Sequence, residues 1–248
     1  LTAVSAAAAP GYADAIDPSF QNFGDIDDAT DTNVTFGGSG IPTTGAYSEF
    51  DTDTGSILLG LGAHGRFNNP DLENDGAGVF TAQKGANIPN GSSIRGALWN
   101  FNWFAEVTGD QTIADIGLKL FYDFDSGEDT DRSDHGVLDL SGIWEQDEMS
   151  DEPVLDPNVS QGSQNPLFGF LANDSLSFID SPALPSFDPQ ATGEYSFALS
   201  STAGEVSMNV DVVPVPATLV LLATGLVGAW GVAAARRRSS RTAARVST

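Results

Sequence analysis

The clearest pattern in the chain is alternation. From Ser93 the sequence reads SIRGALWNFNWFAEV, with Trp99, Phe101 and Trp103 on one side and Leu98, Asn100 and Asn102 on the other, the period of a β-strand with one aromatic face. IADIGLKLFYDFDSG repeats it: Ile116, Leu118, Leu120, Tyr122 and Phe124 share a face opposite Lys119, Phe121, Asp123 and Asp125. GEYSFALSS sets Tyr195, Phe197 and Leu199 together and GEVSMNVDVV sets Val206, Met208, Val210 and Val212 together, so the short STAG between them predicts a hairpin. Further strands are predicted at 57–61, 77–82 and 137–143, separated by Gly, Pro, Asn and Asp clusters at intervals usual in sandwiches and jelly rolls. No long amphipathic pattern of helical period precedes position 214, which argues against α/β architectures. The expected body is one all-β domain over 16–213, an antiparallel β-sandwich or jelly roll.

The pattern changes at the end. Residues 217–235 carry no charge, and at 1.5 Å per residue they span roughly 28 Å, close to the hydrocarbon thickness of a bilayer. Pro214 and Pro216 precede this segment and cannot lie inside a helix, while Arg236, Arg237 and Arg238 follow it. These features predict a single transmembrane helix whose C-terminus is held in the cytoplasm by positive charge, with the body outside. At the other end, LTAVSAAAAPGYADA offers A-x-A at 6–8 and at 13–15, so residues 1–15 read as the end of a secretory signal peptide.

Charge sharpens this division. The chain has 10 Lys plus Arg and 34 Asp plus Glu among 248 residues, for a net charge of -24. Before position 214 the cations are only Arg66, Lys84, Arg95, Lys119 and Arg132, so that part carries 5 minus 34, or -29. Such a body repels phosphate backbones, which excludes nucleic acid as a partner. Its 15 Phe, 4 Trp and 4 Tyr set it apart from disordered acidic tails. Without cysteine there is neither disulfide nor thiolate metal site, as suits an exported bacterial protein.

Candidate chemistry is sparse. DFDSGEDTDRSD places Asp123, Asp125, Asp129, Asp131 and Asp134 in a turn-rich loop, where oxygens at alternate positions could gather Ca²⁺, the one candidate ion; a solvated loop is the plainer reading. It is not an EF-hand loop, because Glu128 stands where the sharp-turn glycine belongs. GDIDDATD and DTDTG are weaker versions of the same spacing. Trp99, Phe101 and Trp103 fit either core packing or a sugar-stacking platform. His64 and His135 sit in loop-like sequence and are expected at the surface. No nucleophile elbow, Walker loop or zinc-protease spacing occurs, and a carboxylate pair for a hydrolase could be drawn from 34 acids in many ways.

The order V-P-x-P-A, apolar segment, arginine cluster in VPVPATLVLLATGLVGAWGVAAARRR resembles the PEP-CTERM class of C-terminal sorting signals of Gram-negative bacteria, in its V-P-x-P-A variant. Pro214, Val215, Pro216 and Ala217 match the motif, with Val215 replacing the acidic residue of the commonest form. The resemblance covers about the last 35 residues and implies recognition in the inner membrane by an exosortase, a membrane cysteine protease that cuts near the Pro motif. It implies an exported protein, anchored before processing and then placed at the outer surface or in the extracellular matrix. The expected role is structural or adhesive and non-enzymatic, with no required cofactor. The rival expectations are a Ca²⁺-stabilised carbohydrate-binding module for exopolysaccharide and a carboxylate-dependent hydrolase.

Overall fold

The computed structural model describes residues 15–88, 95–147 and 156–214. The chain divides into two compact units, Leu1–Val213 and Pro214–Thr248. All described residues but Pro214 belong to the first. The transmembrane segment expected at 217–235, with Val215, Pro216, Ala217 and Arg236 to Arg238, lies outside the described residues. Among those described, no helix is long and apolar enough to cross a membrane.

The first unit is all-β and sandwich-like. One sheet has five strands in the order β1 (Asn22–Asp25), β2 (Thr44–Asp51), β3 (Ser56–Gly65), β8 (Trp99–Val107) and β11 (Val159–Gln164). The other has seven: β12 (Ile179–Asp180), β10 (Gly136–Asp139), β9 (Lys119–Tyr122), β13 (Gly193–Ser200), β14 (Glu205–Val213), β5 (Val79–Gln83) and β4 (Glu73–Asn74). A ribbon of β6 (Ala86–Asn87) and β7 (Gly96–Ala97) stands apart. Pairing is antiparallel except for β14 against β5, which run parallel, so the expectation of a wholly antiparallel sandwich is corrected at one pair.

Alternation becomes packing because each inner face closes on the other. Trp99 and Phe101 of β8 meet Phe197 of β13 at ring-centroid distances of 6.0 and 4.9 Å, and Phe101 stacks on Tyr122 at 6.4 Å. Leu59, Leu61, Leu120, Leu199, Met208 and Val210 fill the same core. The STAG hairpin forms as expected, with the Ser201 amide donating to the Gly204 carbonyl at 2.8 Å. Two predicted strands are shorter than expected. Ile113–Ile116 forms a 3₁₀ turn before β9, and 137–143 becomes β10 followed by the helix α1 (Leu140–Asp147), the only α-helix among the described residues.

A second, smaller core lies on the outer face of the five-stranded sheet. Ile26, Val34 and Phe36, from the connection between β1 and β2, cover Leu58 and Phe104. Gly60 makes room, since a Cβ there would stand 2.8 Å from Ile26 Cδ1. The connection is pinned by Gln161, whose Oε1 accepts the amides of Thr35 and Phe36 at 2.7 and 2.8 Å, and by Glu106, which accepts the hydroxyls of Thr30 and Thr32.

Candidate functional site

Four strands of the seven-stranded sheet place a polar row on its outer face. Tyr122 is paired with Gly136 on one side and Phe197 on the other, and Phe197 with Met208. One residue further along, the order across the sheet is therefore His135, Asp123, Ser196 and Asn209, and alternation points all four away from the aromatic core. All four are nonetheless buried, because the segment 15–19 crosses this face. That segment bridges Asp131 at Ala15 and Ser207 at Ser19, buries Ile16, and its Asp17 carbonyl accepts the Ser207 hydroxyl at 2.6 Å.

The row is hydrogen-bonded from one end. His135 Nδ1 lies 3.1 Å from the Asp131 carbonyl, which can only accept, so the neutral ring carries its proton there and Nε2 accepts the Ser196 hydroxyl at 2.8 Å. A hydroxyl held by an imidazole oriented from behind is a nucleophile–base arrangement. Ser196 and His135 are each only 4 % exposed, however, so in this structure a substrate carbonyl has no approach. One oxygen of Asp123 accepts the Asp125 amide at 2.8 Å, while Oδ2 is buried without a partner, as is Asn209 Oδ1. Burial pushes the Asp123 carboxyl above the usual range, against the lowering effect of the Asp125 amide. Burial likewise raises Glu194, with repulsion from Asp211 and Glu128 adding to it, and raises Asp211, with repulsion from Glu128 and Asp75 adding to it.

The five aspartates of the 123–134 loop do not converge. Asp123 lies in the row, Asp125 accepts the Gly127 amide at 3.0 Å, and Asp131 accepts the Ser133 amide at 2.9 Å, while Asp129 and Asp134 are exposed. Their alternate spacing thus serves Asx turns, in which a carboxylate caps an amide two residues on. Among the described residues, no three His, Cys, Asp or Glu side chains gather as a metal ion would require. A melting series at equal ionic strength tests the loop: a Ca²⁺ shift no larger than that of Mg²⁺ leaves it a set of solvated turns. A Ca²⁺-specific rise that disappears in Asp123→Asn with Asp125→Asn would contradict this.

The aromatic row lies inside. Trp99 and Phe101 are 1 % exposed, so neither offers a face to a sugar; the reason is that β8 is a central strand whose inner face packs on the other sheet. Trp103 is 6 % exposed and donates from Nε1 to the Ser160 hydroxyl at 3.2 Å. It borders a cleft of about 380 Å³ walled by Leu140, Ile143 and Val159. A second cleft, of about 580 Å³, opens where the 51–54, 110–111 and 202–203 loops meet, and it holds Asp51, Asp53 and Asp110.

Both histidines depart from their expected place at the surface. His64 is 1 % exposed, with Nδ1 2.9 Å from Asn102 Oδ1. Burial pushes its pKa down to about 4, partly opposed by the hydrogen bond to Asn102. A folded-state pKa below the unfolded 6.5 means that stability is complete above pH 6.5 and is lost as pH falls toward 4, by roughly 3 kcal/mol in all. Asp123 has the opposite sign: its raised pKa favours the fold at low pH and costs stability as pH rises through it. Denaturant titrations from pH 7 to 4 are expected to show this acid loss in the wild type and not in His64→Gln. Equal acid sensitivity in the two would contradict the assignment.

Compared with known proteins, the chain matches no family model, no curated protein and no solved structure.

Proposed function

We propose that this chain is an exported, exosortase-sorted protein of the outer surface or extracellular matrix, with a structural or adhesive role and no enzymatic activity. The observation that carries this reading is where the sheet stops. β14 is a central strand, paired with β13 on one side and β5 on the other, and its last residue, Val213, accepts the Lys84 amide at 3.0 Å. The next residue is Pro214, the first proline of the V-P-x-P-A motif. Cleavage at or after the motif would leave every rung of the sandwich in place and remove only the apolar segment and the arginines. In this reading an antiparallel-dominated sandwich is followed by a single transmembrane helix, which anchors the protein in the inner membrane until processing. The acid-rich body keeps the released domain soluble by self-repulsion.

The test is fractionation of a Gram-negative host expressing the full chain with and without an exosortase that reads V-P-x-P-A. The body is expected in the outer surface or medium fraction only when the protease is present. Equal release without it would reject the sorting reading.

A further inference from the structure

We propose that Arg66 and the aromatic rings around it form a binding site for a carboxylate-bearing sugar, such as a uronic acid unit of an acidic polysaccharide. The observation is a cation without an anion in a protein crowded with acids. Among the described residues the sole ion pair is Arg132 with Glu205. Arg66 has no carboxylate within ion-pair distance there, and burial alone lowers its pKa. Its guanidinium instead lies between two rings, 4.8 Å from the centroid of Phe67 and 5.3 Å from that of Phe168. Gly96 is required beneath it, since a Cβ there would stand 1.1 Å from Nη1, and this nitrogen is buried with no partner.

The surroundings are built around this group. The Arg66 amide donates to the Leu98 carbonyl at 2.8 Å and the Leu98 amide to the Gly85 carbonyl at 3.2 Å. Those two bonds bring Lys84 and Arg95, which flank β6 and β7, to the same end of the sandwich, so three of the five body cations collect there. The residues after Arg66 are held in the left-handed region, with φ of 64° at Phe67, 92° at Asn68 and 49° at Asn69. Three consecutive non-glycine residues of this kind are strained, and such conformations persist where the surroundings over-determine them, often at ligand clamps. Here the Gly65 amide bonds to the Pro70 carbonyl at 2.8 Å and Asn69 Nδ2 to the Ser39 carbonyl at 3.2 Å, leaving Asn68 exposed. Phe168 and Phe170, whose rings stand 6.2 Å apart, are half-buried.

With Nη1 covered by Gly96, the remaining guanidinium N–H groups match a carboxylate, the ring faces match the C–H face of a pyranose, and the exposed Asn68 amide matches its hydroxyls. A flat anionic membrane fits less well. The acidic 125–131 loop lies at the same end, since Ser126 O would stand 1.9 Å from a Cβ on Gly193, the residue paired with Val212. A bilayer would meet those carboxylates, whereas one sugar unit need not.

The proposal rests on the adhesive reading of the body, but its test does not pass through sorting, so the two fail separately. The full chain in non-ionic detergent is titrated calorimetrically with a galacturonate tetramer, with its carboxyl-reduced galactose counterpart and with dihexanoyl phosphatidylglycerol. Saturable binding of the galacturonate is expected, about tenfold or more tighter than that of the neutral tetramer and weakened about tenfold or more by Arg66→Lys at an unchanged melting temperature. The charged-against-neutral comparison on the wild type decides the matter even if the variant fails to fold. Absence of saturation, equal affinity for both tetramers, indifference to Arg66→Lys in a folded variant, or Arg66-dependent binding of the lipid alone would each overturn the assignment.

Discussion

Trp99→Ala is expected to lose about 3–5 kcal/mol of stability, the range for emptying a buried aromatic site. The indole is held by Phe187, Tyr195 and Phe197 at centroid distances of 5.8, 5.9 and 6.0 Å, so its removal leaves a void bordered by three large rings and by the central strand β8. Domains of this kind are stable by only about 5–15 kcal/mol, so one such change brings the body close to unfolding under ordinary conditions. Leu184→Ser, at a side chain 43 % exposed, is the matched control and should stay within about 0.5 kcal/mol. Chemical denaturation of the two variants separates the two readings of the aromatic row. A loss below about 1 kcal/mol for Trp99→Ala would place the indole at the surface, where a sugar platform would have it.

Pro214→Ala together with Pro216→Ala is expected to leave the chain uncut and retained in the membrane fraction. In the proposed sorting reading, these prolines, which fix φ and remove amide donors, would hold the approach to the apolar segment extended for a protease. On the same reading, alanines would let the proposed helix extend toward its N-terminal side and withdraw the bonds proposed to be cut. The folded body should be unaffected, since its last hydrogen-bonded residue is Val213. Membrane and medium fractions probed with an antibody to the body measure this, and release of the double variant at the wild-type rate would contradict it.

Period-two alternation was enough to locate β8, β13, β14 and the hairpin at 201–204, because each of these strands has one face on the core and the pattern survives in the local sequence. It failed where burial is imposed from far along the chain. His64 and His135 look like loop residues locally; His64 is enclosed with Asn102, 38 positions away, and His135 lies with Ser196, 61 positions away, beneath a segment from near the N-terminus. The second apolar cluster, Ile26 and Phe36 over Leu58 and Phe104, was likewise hidden, because its covering segment has no regular period. Ile116 was read into the following strand because a short apolar spacing fits a 3₁₀ turn as well as a pleat. The Arg66 site left one signal in the sequence, a rare cation beside Phe67 and two asparagines. Its lack of an acidic partner among the described residues depends on tertiary placement.

The central claim is that the chain is cut at its Pro motif and released as a closed β-domain. Intact mass of the protein recovered from the surface or medium of an exosortase-bearing host tests it most directly. The account predicts a species lacking 217–248 that retains the whole of β14 through Val213. Recovery of the chain with its arginines still attached, or of a species truncated within β14, would contradict it.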